Sequence, residues 1–311
     1  MSVQAATRPI DPDPGLRSVL VALLANTLIA TAKGIAAALT GSAALLAETL
    51  HTVADTGNEV LLYIAIRRSG REPDATHPFG YGPERYYWAL LAAIGMFAIG
   101  GAVAIWEGVR ALVHPPEIED FWVGVAVLLV ALTLDGVSRT VAIRTLRAEA
   151  RTRGVTVKTL FRESSDPTVT TVYLEDTADV LGALLALVAL VLHKLTGSAF
   201  ADAVATIAIG CLLGYIAWRM IGRNRQLLTN QAVPERYVEQ MRQRITSQAG
   251  IEQLRTIDAI YLGPRQVLVA AEVRMDPHLD ADGVAEALTT ARLQISNDVP
   301  AVARLYLTPV D

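Results

Sequence analysis

The chain has 311 residues, 52% of them hydrophobic, with a mean hydropathy of +0.37 and a formal net charge of −4. That apolar average exceeds what ordinary soluble domains carry and points to membrane insertion. The negative balance argues against a nucleic-acid partner, and the single cysteine, Cys211, rules out an intrachain disulfide.

Residues 1–15 read as a short disordered tail. They hold Arg8, Asp11, Asp13 and three prolines but no apolar core, so they do not resemble a cleavable signal peptide. Six apolar stretches follow, near 17–40, 43–67, 86–112, 121–146, 170–193 and 199–220. Each reaches the roughly 20 residues that a helix needs to cross hydrocarbon about 30 Å thick. The expected fold is a membrane all-α six-helix domain over 16–225. Arginines crowd one face, with Arg67, Arg68, Arg71 and Arg85 after the second stretch. Arg144, Arg147, Arg151, Arg153, Lys158 and Arg162 follow the fourth. The opposite loops carry only Lys194, so the positive-inside rule places both termini in the cytoplasm. A bacterial inner (plasma) membrane is the expected location.

Composition changes after Arg225. Residues 229–311 hold eight Arg, no Lys and eleven Asp or Glu, and no further membrane-length run. A helix opens at Val233-Pro234-Glu235 and ends near Gly250. A strand is expected near 254–262, then a turn at Gly263-Pro264. "QVLVAAEVRM" alternates so that Val267, Val269, Ala271, Val273 and Met275 share a side. A helix over 282–297 and the strand "ARLYLTP" complete a small α+β unit of order αββαβ. At about 80 residues its core is marginal, which favours pairing with a second copy as a dimerisation domain.

Ionisable side chains inside the spans cost several kcal/mol each unless they have a use. His51 and Asp55 stand four apart in the second stretch, and Asn58 continues their face. In the fifth, Glu175, Asp176 and Asp179 fall within an arc of about 100°. Glu175 and Asp179 repeat the four-residue spacing. Two helices meeting through these faces would offer one imidazole and two or three carboxylates, a nitrogen and oxygen set suited to a divalent transition metal. Carboxylates crowded in low dielectric need a cation or protons, and metal binding expels protons, so such a site exchanges the two. A purely structural polar network is the competing reading. Glu48 and Glu59 could instead pair with Lys33 or an arginine, or sit near a membrane surface. Asp135 in the fourth stretch could pair with Arg139, or serve the metal or a proton relay with Asp176 and Asn58.

"LLAETLHTVADTGNEVLLYIAI", "DATHPFGYGPERYYWAL" and "FRESSDPTVTTVYLED", with the six-span plus αββαβ layout, resemble the cation diffusion facilitators. Several stretches are most similar to the branch of mitochondrial zinc transporters and their bacterial relatives. The resemblance covers nearly the whole chain after about residue 15. It implies a homodimeric metal/proton antiporter working by alternating access, with no tightly bound cofactor and a transported divalent cation, Zn²⁺ first and Mn²⁺ or Fe²⁺ as further candidates. Its partners would be a second copy, the bilayer, divalent ions and protons. Carried over by position, the transport site is His51, Asp55, Glu175 and Asp179, with Glu175 standing where the commoner zinc branch has histidine. A carboxylate there makes the site harder and more anionic. Asp176, adjacent, could replace Glu175.

Two peripheral sites are weaker. The family's loop pattern falls on Asp74, His77 and Tyr81, and tyrosine is a poor zinc ligand at neutral pH, so the loop reads mainly as a structured turn. In the C-terminal unit only His278 is available, with Asp276 and Asp280, in what reads as a solvated strand-to-helix loop. The glycines at 95, 100, 101, 182, 210 and 214 are expected to permit close helix packing. An intramembrane metal-dependent enzyme lacks any accompanying nucleophile or phosphate-binding motif, so the chain is not expected to be an enzyme. A membrane-anchored metal sensor is disfavoured by acids deep in two separate spans.

Overall fold

The computed structural model describes residues 15–115, 121–152 and 154–310. The expected N-terminal tail up to residue 14, the acid-bearing stretch 116–120 and Arg153 lie outside them. The first helix, α1 (Gly15–Thr40), leads through a two-residue link into α2 (Ala43–Ser69). The third long segment is α3 (Glu84–Gly95), a π-helical stretch (Met96–Ala102) and α4 (Val103–Val113) in line. Then come α5 (Phe121–Thr152), the short α6 (Val157–Glu163), α7 (Pro167–Thr196) and α8 (Phe200–Leu228).

Among the described residues, four helical segments are long and apolar enough to cross a membrane: Glu84–Val113, Phe121–Thr152, Tyr173–Thr196 and Phe200–Leu228. Their outer faces carry large exposed apolar side chains such as Trp106, Trp122, Leu195 and Trp218, the lipid-facing surface that such helices need. α2 packs among α1, α3, the π-helical stretch, α7 and α8, and is the most enclosed of the set. It is also the one that carries Glu48, His51, Asp55 and Asn58, all buried.

Two close approaches need glycine. A Cβ on Gly210 of α8 would lie 2.8 Å from the Gly101 carbonyl, and one on Gly101 would lie 3.3 Å from the Gly214 nitrogen. The π-helical stretch and α8 therefore meet backbone to backbone. Gly182 of α7 leaves the space that the Glu48 carboxylate fills. Of the other glycines, Gly100 abuts Leu213, whereas Gly95 meets nothing within 4 Å.

After α8 come α9 (Glu235–Thr246), β1 (Ile251–Gly263), β2 (Gln266–Met275), α10 (Ala281–Asp298) and β3 (Val302–Val310), the expected αββαβ order. β1 pairs antiparallel with β2, and β3 adds parallel to β2 through the α10 crossover, giving the order β1-β2-β3. The alternating set Val267, Val269, Ala271 and Val273 is buried, as period-two patterning requires. β1 extends three residues earlier than the sequence suggests, pairing Ile251 with Met275 across register shifts that its mixed residues do not announce. This core also takes in Tyr86 of α3 and Leu227 of α8. An Arg236–Glu163 ion pair at 2.6 Å adds a link between α9 and α6. The sheet is thus seated against the basic end of the helices.

Two buried polar contacts fasten α2. Lys33 of α1 lies 3.1 Å from Glu48 Oε2, with the two side chains 1% and 0% exposed, and its Nζ also donates to Thr52 at 3.0 Å. Arg139, offered as a partner for Asp135, instead donates to Thr177 at 3.4 Å. At the start of α2, Asp202 of α8 accepts from Ser42 Oγ (2.7 Å), Ala43 N (2.7 Å) and Ala44 N (3.2 Å). Those amides belong to the first turn, which has no intrahelical acceptors, and a carboxylate there also opposes the positive end of the helix dipole.

Removing one member of a buried ion pair strands the other, at a cost of about 3–5 kcal/mol. Lys33→Met should therefore lower the thermal unfolding temperature of the detergent-purified protein, and adding Glu48→Leu should restore most of it. An unchanged transition in Lys33→Met would refute the pairing. Asp202→Ala should also destabilise, by about 1–3 kcal/mol for the stranded donors, and Asp202→Asn by less, because one acceptor oxygen survives.

Candidate metal centre

The four polar positions of α2 fall on one face because 3.6 residues make a turn, so positions 48, 51, 55 and 58 stack along it. α7 crosses that face with Glu175, Asp179 and Gly182 at the same spacing. His51 lies between two carboxylates. Its Nδ1 is 3.5 Å from Asp55 Oδ2 and its Nε2 is 3.1 Å from Asp179 Oδ1. The imidazole is fully buried, Asp55 nearly so, and Asp179 is 18% exposed at its side chain. One ligand atom from each of the three lies within 4.8 Å of the others. Neither ring nitrogen of His51, nor Asp55 Oδ1, meets hydrogen-bond geometry with a partner among the described residues. Buried polar atoms facing one another without aligned donors cost free energy, and a cation placed between them would remove that cost.

Glu175 is not part of this trio. It is buried one turn away on α7 and accepts a hydrogen bond from Asn58 Nδ2. Asn58 therefore orients the carboxylate expected among the ligands and holds it beside the cluster. Asp176 is half-buried and turned towards α5, where Ser138 Oγ donates to its Oδ1 at 3.1 Å. Of the two adjacent acids, Glu175 is the one on the α2 side. Asp176 Oδ2, Asp135 Oδ2 and Glu59 Oε2 are each buried without a hydrogen-bond partner among the described residues.

The loop pattern resolves into a turn. Asp74 Oδ1 accepts from Thr76 N (2.8 Å), Thr76 Oγ1 (2.6 Å) and His77 N (2.8 Å), while Oδ2 accepts from Tyr81 OH (2.7 Å). The hydrogen bonds from Thr76 and then Tyr81 hold this carboxyl well below the usual carboxylate range. His77 stacks on Tyr81 with ring centroids 4.0 Å apart. Near the C-terminus, Asp276 Oδ1 accepts from His278 N at 2.9 Å and Asp280 caps α10 through Gly283 N at 2.8 Å. Both acids are engaged in local turn geometry.

Lys33, offered from the sequence as a partner for Glu48, is that partner. Asp202 escaped the sequence reading. Asp202 is the one acidic residue of its apolar stretch, and that isolation was the signal available.

Comparison with known proteins gives the family. The family model for the cation efflux transmembrane domain matches residues 19–229. The human mitochondrial proton-coupled zinc antiporter SLC30A9 is 32% identical over 263 residues, which cover 85% of this chain and 46% of that protein. Metal tolerance protein C4 of Arabidopsis thaliana is 32% identical over 260 residues, 83% of this chain and 56% of its own length. The zinc transporter ZitB of Yersinia pseudotuberculosis is 24% identical over 278 residues, covering 89% and 83%. The chain spans about half the length of the first two. Its matched family is one of cation transporters, not of enzymes. The helices that carry His51, Asp55 and Asp179 lie within the matched region, and the chain belongs to the cation efflux, or cation diffusion facilitator, family.

Proposed function

We propose that this protein exports divalent transition-metal cations from the cytoplasm by metal/proton antiport, with Zn²⁺ as its first substrate. The observation that carries the reading is the meeting of His51 and Asp55 on α2 with Asp179 on α7, one nitrogen and two carboxylates within 4.8 Å. This donor set suits zinc, with a fourth ligand from water or from Glu175 once it leaves Asn58. The names of the related zinc antiporter and zinc transporters favour the same ion. The hard, anionic character that Glu175 adds keeps Mn²⁺ and Fe²⁺ as further substrates.

The chemistry follows from ligand competition. Metal binds deprotonated carboxylates and a neutral imidazole, so its arrival releases protons and its departure requires them. Binding therefore weakens as pH falls. On one side of the membrane the open trio strips a hydrated ion; on the other, protons arriving at His51, Asp55 or Asp179 release it. Asp135 and Asp176, with Asn58 holding Glu175, relay those protons in this reading. The glycine-lined contact of the π-helical stretch with α8 is where neighbouring helices can slide during alternating access.

In this account all six long helical segments cross the bilayer, including α1 and the polar α2, and residues 16–225 form the transport domain. Both termini face the cytoplasm of a bacterium, across its inner membrane. Residues 229–311 form the dimerisation domain of a homodimer. The Asp74–His77 loop and the Asp276–His278 turn serve structure, because their carboxylates are already committed to backbone and hydroxyl donors.

Reconstituted into inside-out proteoliposomes with an internal pH dye, the protein should move Zn²⁺ with proton counterflow. Asp55→Ala should reduce flux to the level of protein-free vesicles while leaving its size-exclusion profile unchanged. Normal flux in that variant would remove Asp55 from the site. Glu175→His should raise preference for Zn²⁺ over Mn²⁺ by about tenfold or more, the scale of changes near a metal's ligands. An unaltered ratio would take Glu175 out of metal selection.

A further inference from the structure

We propose that a cavity at the basic end of the helices binds one anionic phospholipid. The cavity, about 820 Å³, opens between α6, the first turns of α7 and the last turns of α8. That volume is within the range of ordinary ligand sites. Its wall is apolar and aromatic, including Phe161, Leu174, Trp218 and Ile221. Around it stand Lys158, Arg162, Arg219, Arg223 and Arg225, and no acidic residue is among the described residues lining it. Arg223 is held in place, donating from Nη1 to Gln231 Oε1 at 3.1 Å and from Nη2 to the Ser164 carbonyl at 2.5 Å.

A second observation points to a ligand. Asn224 lines the same cavity, is 1% exposed, and uses its amide nitrogen on the Met220 carbonyl. Its Oδ1 is buried with no hydrogen-bond partner among the described residues. Turned towards the cavity, it would accept from the hydroxyl of a glycerol headgroup, while the phosphate would meet the cations.

The occupant is a lipid because of where the cavity lies. Trp218 is 67% exposed, and α7 and α8 are both apolar enough to cross a membrane. Basic residues beside an interfacial tryptophan, at the end of two such helices, mark the headgroup level. A twofold contact with a second copy is a poor alternative, since it would set the same cations against themselves. Nothing in this proposal depends on which ion the protein moves.

The test is native mass spectrometry of the full chain in detergent with added phosphatidylglycerol or phosphatidylcholine. Phosphatidylglycerol should be retained preferentially. Lys158→Gln/Arg219→Gln/Arg225→Gln should weaken that retention by on the order of 100-fold for three cations, whereas Arg110→Gln, at the other end of the molecule, should not. Equal retention of the two lipids by the unaltered protein would overturn the proposal, even if the triple variant failed to fold. So would displacement by excess inorganic phosphate, which would indicate a soluble-anion site. Cross-linking of Trp218→Cys between copies in lipid-free detergent would likewise assign the cavity to a protein interface.

Discussion

Everything in this molecule is arranged around the cost of keeping charged side chains away from water between helices that meet lipid. Glu48, His51, Asp55 and Asp179 stand on facing surfaces of α2 and α7, where an uncompensated charge would be worth several kcal/mol of instability. Lys33 answers Glu48 directly. In the His51 trio, both ring nitrogens and Asp55 Oδ1 have no hydrogen-bond partner among the described residues. The proposed exchange rests on that contrast between one paired carboxylate and its neighbours.

That division explains the surrounding packing. α2 can bury its polar face only if α1, α7 and α8 close on it. Asp202 holds its first turn and Gly182 makes room for Glu48. At the other end, Tyr86 and Leu227 carry the helices into the core of the αββαβ unit, and Arg236–Glu163 adds an ion pair. Displacement of the small sheet would therefore be felt by α3 and α8, both of which pack against α2.

Much of this was legible in the sequence, and for identifiable reasons. The positions of the long helices follow from unbroken apolar runs, and "QVLVAAEVRM" announces a strand because alternation has no helical reading. His51, Asp55 and Asp179 stood out because ionisable residues at helical spacing are rare in membrane-length stretches. Glu175 was harder. Its spacing to Asp179 places it on the right face, but the side-chain partner that draws it to Asn58 depends on how α2 and α7 cross, which no single helix specifies. Asp202 and the early start of β1 were missed on the same grounds: one acts on a helix 158 to 160 positions away, and the other is set by irregular pairing with β2. The motif at Asp74 was readable as a turn because the residue that would complete a metal set is a tyrosine.

The central claim is that the trio, and not the peripheral clusters, is where the metal binds. X-ray absorption at the zinc edge, on purified protein loaded with one equivalent of Zn²⁺, tests it most directly. The account predicts a shell of oxygen and nitrogen with a single imidazole and no sulfur, and loss of that imidazole signature in His51→Ala but not in His77→Ala or His278→Ala. A shell with two or more imidazoles, or one unchanged by His51→Ala, would contradict it.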